Sequence, residues 1–175
     1  MGISAVPKSQ ANDDIKSIYE TMEKTYGRVP NFFAAMAHRP NVLKHFLPFY
    51  KSVTAEGTVE PRYKELAYLK ASTLNGCEYC TRAHTAGAKK IGLTDDEIKA
   101  IPFYRRSHLF NDKDKATLLY AERVTRGAAG IREGSIEELK KYYTEDQIVE
   151  LTLVIAVANF TNRVNDALQN EPDLG

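Results

Sequence analysis

Cysteine is scarce in this chain: Cys77 and Cys80 are the only two in 175 residues. A bridge between positions three apart closes too short a loop to hold a large domain together. Disulfides are therefore excluded as the scaffold, and reactivity is the better reason for two thiols. Charge of one sign is lacking as well. Lys and Arg total 24 against 23 Asp and Glu, a formal net charge of +1, which gives no global field to attract nucleic acid or an anionic membrane. Long apolar runs are missing: the most apolar stretch, Leu151 to Phe160, has about half the length of a bilayer span. Met1 to Lys8 has neither the basic start nor the apolar run of a secretory signal. Val6 stands where a myristoylation motif requires Ser or Thr. No internal repeat, low-complexity tract or interdomain linker stands out. The expectation is a soluble, cytoplasmic protein with no nucleic-acid or membrane partner.

Helix punctuation is plentiful, and strand signals are weak. Asn12, with Asp13 and Asp14 behind it, opens a first helix that Gly27 stops. Pro30, Pro40 and Pro61 each suit a helix start, and Pro48 should kink or end the helix begun at Pro40. Asn75-Gly76 reads as a helix stop and turn, so the next helix runs from near Cys77 to Ile91. Thr94 with Glu97, Ser135 with Glu138, and Thr144 with Gln147 have capping-box spacing. Another helix runs from Asp112 to Gly127, and Gly127 to Gly134 is the best loop. The fold expected is all-α, a single compact domain over residues 1–175, with 1–57 either an appended helical arm or an integral part. The chain is long enough to bury a core unaided. The aromatics of Pro30–Arg39 and Pro40–Tyr50 are many for so small a domain, which points to self-association.

The informative segment runs from Glu65 to His84. On a helical wheel, with Cys77 at zero, Cys80 falls near ~300° and His84 near ~340°, one narrow face. The thiols sit in the first turn after the Asn75-Gly76 break, where free N–H groups and the helix dipole favour a thiolate. His84 is placed to exchange protons with a thiol or a leaving oxygen. Glu65 borders the apolar Leu66 and Leu69 on the preceding helix, which suits a proton relay. Small residues around Ala83 to Ala88 let neighbouring elements approach. Other readings stay open. Cys77, Cys80 and His84, with Glu65 as a fourth ligand, would make a zinc set. Both cysteines could be inert core, and Glu65 a plain surface or ion-pair residue. Thr81 after the second cysteine excludes the haem-attachment motif, and a thioredoxin-like site lacks its βαβ context. His38, His45 and His108 carry no motif. Tyr79 either shapes a pocket or packs. Asn159, Asn162, Arg163 and Asp166 share one helical face, read first as a solvated stripe and second as a pocket wall or subunit contact.

Glu65, then Cys77-x-x-Cys80, then His84 resembles the pattern of the alkylhydroperoxidase D-like branch of the carboxymuconolactone decarboxylase family. Asn75 to Cys80 and His84-Thr85-Ala86 resemble that branch too. Val29-Pro30-Asn31-Phe32 and Asn162 to Leu168 are similar to its peroxidase-related subgroup. The resemblance covers Pro61 to Ile98 closely and most of the chain loosely. It implies an all-helical fold with a helical hairpin carrying the dithiol, a dimer-based homo-oligomer such as a hexamer, and peroxide reduction without metal, haem or other cofactor. By this resemblance Cys80 is the peroxidatic thiol, Cys77 resolves it as a disulfide, and His84 and Glu65 relay protons. Some members carry His directly before the second cysteine; here Tyr79 stands there, so that relay role is not carried over. The implied activity is reduction of hydrogen peroxide or small organic hydroperoxides, with an external dithiol or disulfide reductase restoring the enzyme. The alternatives are a carboxymuconolactone decarboxylase-like lyase using His84 and Glu65, and a dithiol redox sensor without turnover.

Overall fold

The computed structural model describes residues 2–55, 57–127, 129, 131 and 133–174. Nine α-helices occur among them: α1 Asp13–Tyr26, α2 Asn31–Met36, α3 Pro40–Thr54, α4 Pro61–Asn75, α5 Glu78–Lys90, α6 Asp95–Ala100, α7 Asp112–Gly127, α8 Glu133–Lys140 and α9 Glu145–Ala167. The fold is all-α, and the boundaries follow the punctuation. Asn12 Oδ1 accepts the Ile15 N–H, and reciprocal capping boxes form at Thr94/Glu97 and Thr144/Gln147. No helix among the described residues is long and apolar enough to cross a membrane.

Three expectations need correction. Pro48 does not end α3, which continues to Thr54. Phe46 and Val53, on either side of it, are buried in one core and hold both halves of the helix to it. Ser135 is not the N-cap of α8: the helix begins at Glu133, and the buried Ser135 hydroxyl accepts a hydrogen bond from Arg123 Nη1 at 2.6 Å. The expected loop is also shorter, since Gly127 closes α7 and Gly134 lies within α8; residues 128, 130 and 132 lie outside the described residues.

Helix α4 is the axis of the molecule. It packs against α5, α7 and α9, and nine of its residues, from Tyr63 to Ser72, are buried. A helix buried on every side needs partners for its charges. Lys64 meets Glu150 of α9 at 2.6 Å, and Lys70 meets Glu122 of α7 at 3.1 Å. Two apolar clusters flank α4 and α9. One gathers Ile15, Tyr19, Phe32, Phe33, Leu43 and Phe46 around the cysteines, and the other gathers Leu66, Leu69, Leu118, Leu151 and Ile155. Helices α1 to α3 thus contribute directly to the core that encloses the dithiol. Most aromatics of α2 and α3 face inward. Phe49 is exposed, and with Phe160 and Leu153 of α9 it borders a shallow apolar groove.

Gly76 turns the chain from α4 into α5 at φ +75°, the left-handed region. A Cβ there would meet nothing within 4 Å, so the cost of a side chain is purely conformational. Gly76→Ala should lower stability by about 1–2 kcal/mol, and Gly76→Asn by less, because Asn tolerates this region. Urea midpoints of the two variants check this; equal midpoints for Ala and wild type would refute it.

Candidate functional site

The turn at Gly76 places Cys77 as the N-cap of α5, one residue before the helix proper. Its Sγ accepts the Cys80 backbone N–H at 3.4 Å. Both cysteines are free thiols and both are buried, yet they are not equivalent. Cys80 lines a cavity of about 560 Å³, and Cys77 is not among the residues lining it. The same cavity is walled by Phe32, Phe33, Tyr50, Tyr68 and Tyr79, with Glu65 and His84 on another side.

The two thiols diverge electrostatically. Donation by the Cys77 thiol to the Cys80 sulfur is the largest influence lowering the Cys80 pKa, which falls to about 7. Burial opposes this, while the Asn162 and Asn165 amides and the nearby His84 imidazole reinforce it. Asn165 Nδ2 lies 3.2 Å from Cys80 Sγ. Cys77 is driven strongly upward, first because it donates to the neighbouring sulfur and then because it is buried. Ionisation therefore falls first on the sulfur that faces the cavity.

Helices α4 and α5 bring Glu65 and His84 together: Glu65 Oε2 is 2.9 Å from His84 Nδ1. Gly87 makes room for this contact, since a Cβ there would stand 3.2 Å from Glu65 Oε1. The imidazole stacks on the Tyr68 ring with centroids 3.4 Å apart, and its Nε2 is 3.3 Å from the Tyr50 hydroxyl. This network fits the tautomer in which Nδ1–H donates to Glu65 and Nε2 accepts from Tyr50. Tyr68 is itself held by a hydrogen bond shared with Thr161. The arrangement can pass a proton between a group in the cavity and the Glu65 carboxylate through one fixed imidazole.

All four residues singled out from the sequence thus border or support one site, with Glu65 meeting His84 directly. Among the described residues no group of three or more His, Cys, Asp or Glu is placed to hold a metal ion. His38, His45 and His108 are exposed. Tyr79 both packs and shapes the wall, its hydroxyl accepting the Phe32 N–H at 3.3 Å. The solvated-stripe reading holds for Arg163 and Asp166 but fails for Asn162, which is fully buried and donates to Ser72 Oγ at 3.1 Å. Asn159 is partly buried and joins it in receiving Asn75 Nδ2, at 3.0 and 2.8 Å. Residue-level reasoning missed Asn165, Tyr50 and Tyr68. Asn165 stood in the motif similar to the peroxidase-related subgroup, which was its one available signal; Tyr50 and Tyr68 had none.

The model of the carboxymuconolactone decarboxylase family matches residues 40–123, a span that contains Glu65, both cysteines and His84. This segment, just under half of the chain, is similar to the carboxymuconolactone decarboxylase family. Within that family setting, the chain is 27% identical to YdfG of Bacillus subtilis (strain 168) over 118 residues, covering 67% of this chain and 80% of YdfG. Among solved structures, the alkylhydroperoxidase AhpD core of a peroxidase-related protein from Ralstonia eutropha JMP134 superposes with a TM-score of 0.86 at 22% identity, over 98% of this chain and 92% of that one. The debrominase Bmp8, in complex with 2,3,4-tribromopyrrole, superposes with a TM-score of 0.84 at 22% identity, over 99% and 92%. These likenesses establish the alkylhydroperoxidase D-like fold.

The thiol asymmetry has a direct readout. With a pKa near 7, the Cys80 thiolate fraction grows as pH rises from 6 to 8, so its alkylation rate should climb with a midpoint near 7. Cys77 should stay unreactive over that range. Asn165→Ala removes a donor to the thiolate and should move the Cys80 midpoint upward. Peptide mapping after iodoacetamide pulses checks this; equal labelling of both cysteines, or an unmoved midpoint, would contradict it.

Proposed function

We propose that the protein is a cysteine-based hydroperoxidase. The observation that carries the reading is the Cys80 sulfur held as the lower-pKa thiol on the wall of a cavity, with the resolving thiol behind it. The Cys80 thiol first passes its proton to the His84–Glu65 pair. The thiolate then attacks the distal oxygen of ROOH, the O–O bond breaks, and RO⁻ leaves as ROH by taking that proton back. Cys80 is now a neutral sulfenic acid, so the charge that suppressed Cys77 ionisation is gone. Cys77 gives up its proton and attacks the Cys80 sulfur, forming the disulfide and releasing water. An external dithiol or disulfide reductase returns the two electrons by exchange. The aromatic wall favours organic hydroperoxides over hydrogen peroxide. The family match and the antioxidant-related fold neighbours support this reading at the level of family.

The fold shared with a debrominase favours one second reading. In it the same thiolate takes bromine from an aromatic carbon, the carbon gains a proton, and Cys77 displaces bromide to close the same disulfide. Both reactions oxidise the dithiol by two electrons and differ in the electrophile.

The test supplies cumene hydroperoxide, hydrogen peroxide and a brominated pyrrole in turn, each with a dithiol reductant. Turnover of a hydroperoxide should be lost in Cys80→Ser, while Cys77→Ser should retain a trappable sulfenic acid on Cys80. Glu65→Gln should lower the rate by about 10²–10⁴ without preventing disulfide formation. Bromide release without peroxide consumption would favour dehalogenation. Turnover surviving loss of both cysteines would favour a lyase using His84 and Glu65, and reversible oxidation without turnover would favour a redox sensor.

The exposed Phe49, Leu153 and Phe160 support a second proposal, self-association through the α3–α9 groove, because monomers rarely leave large apolar patches open. Light scattering should give a multiple of the 19.7 kDa chain mass, and Phe49→Glu should reduce it. A wild-type mass of one chain at micromolar concentration would refute this.

A further inference from the structure

On the side of α4 away from the dithiol lies a second cavity, of about 500 Å³, between α4, the short turn Ile101–Phe103 and α7. It shares no lining residue with the dithiol cavity. Its charge is one-sided. Lys70, Arg105, Arg106 and Arg126 line it against a single carboxylate, Glu122. Three of those cations already surround Glu122, with Lys70 at 3.1 Å, Arg105 at 3.1 Å and Arg126 at 3.6 Å. In a chain of net charge +1, this is a local surplus of positive charge facing a concave space.

A second observation is independent of the charge. Tyr104 is 3% exposed, and its hydroxyl has no hydrogen-bond partner among the described residues. Its nearest polar neighbours are the Arg105 and Glu122 side chains, and Tyr104 is among the residues lining the same cleft. Lys70 Nζ and the Arg105 guanidinium approach the Tyr104 ring at 4.8 and 5.3 Å from its centroid. These contacts fix the ring and leave the hydroxyl to find a partner. A buried hydroxyl without one costs free energy that an acceptor atom would recover. Pro102 and Phe103 complete the rim, and Phe103 is 73% exposed, an apolar shelf beside the cationic floor.

We propose that this cleft binds a small organic anion. A carboxylate or phosphate takes charge-assisted hydrogen bonds from Arg105 and Arg106 and accepts one from Tyr104, while an apolar body lies on Pro102 and Phe103. A cation is repelled by the surplus charge, and an inorganic anion leaves the apolar shelf unused.

The test is calorimetric titration of the full chain with phenyl phosphate, inorganic phosphate and neutral benzyl alcohol. Phenyl phosphate should bind saturably, more tightly than either comparator, and more weakly as salt is added. Tyr104→Phe keeps the ring and removes only the hydroxyl. The double variant Arg105→Ala/Arg106→Ala changes two exposed side chains. Each should weaken binding roughly tenfold while leaving circular dichroism and the Cys80 alkylation profile unchanged. Absence of saturable binding, inorganic phosphate binding as tightly as phenyl phosphate, or unaltered affinity in either variant would overturn the proposal.

Discussion

The burial of α4 on all sides is the constraint on which the rest of the structure depends. An amphipathic helix is oriented by its apolar stripe, but α4 has none, so its rotation must be set by something directional. Lys64 and Lys70 supply that direction, each reaching a carboxylate on a different neighbouring helix. Losing one partner of such a buried pair leaves an uncompensated charge. With α4 locked between α7 and α9, Glu65 and the Tyr68 ring meet His84 of α5, and Lys70 meets Glu122 of α7.

The second governing feature is the sharing of one charge between two thiols. Two thiolates side by side in a buried pocket would repel, so ionisation of one raises the pKa of the other. Position decides which ionises. Cys80, inside α5, receives the Asn165 amide and faces the cavity, whereas Cys77 at the N-cap donates its proton toward Cys80. The asymmetry lasts only while Cys80 stays reduced, and that ordering suits attack by one sulfur followed by resolution by the other.

Helix α4 also separates two concave spaces of different chemistry. One is aromatic and contains a nucleophile with a fixed imidazole; the other is cationic and contains an unsatisfied phenol. They are built from opposite faces of the same helix.

Most helix boundaries and the pairing of Cys80 with His84 on one face of α5 were legible in the sequence, because caps, Gly76 and one-turn spacing act locally. Cys77, however, stands at the N-cap before the helix and off the cavity wall. Glu65 could be named but not placed: its contact with His84 depends on how two helices cross and on the missing side chain at Gly87. Ser135 had the right spacing for a cap, and Pro48 the right chemistry for a stop, but contacts from distant segments outweighed both local signals. The surroundings of Cys80 come from long-range packing. Asn165 and Tyr50 lie 85 residues after and 30 residues before it. Their roles follow from packing α9 and α3 around α5, and no local periodicity records which distant polar group a buried sulfur or imidazole will meet.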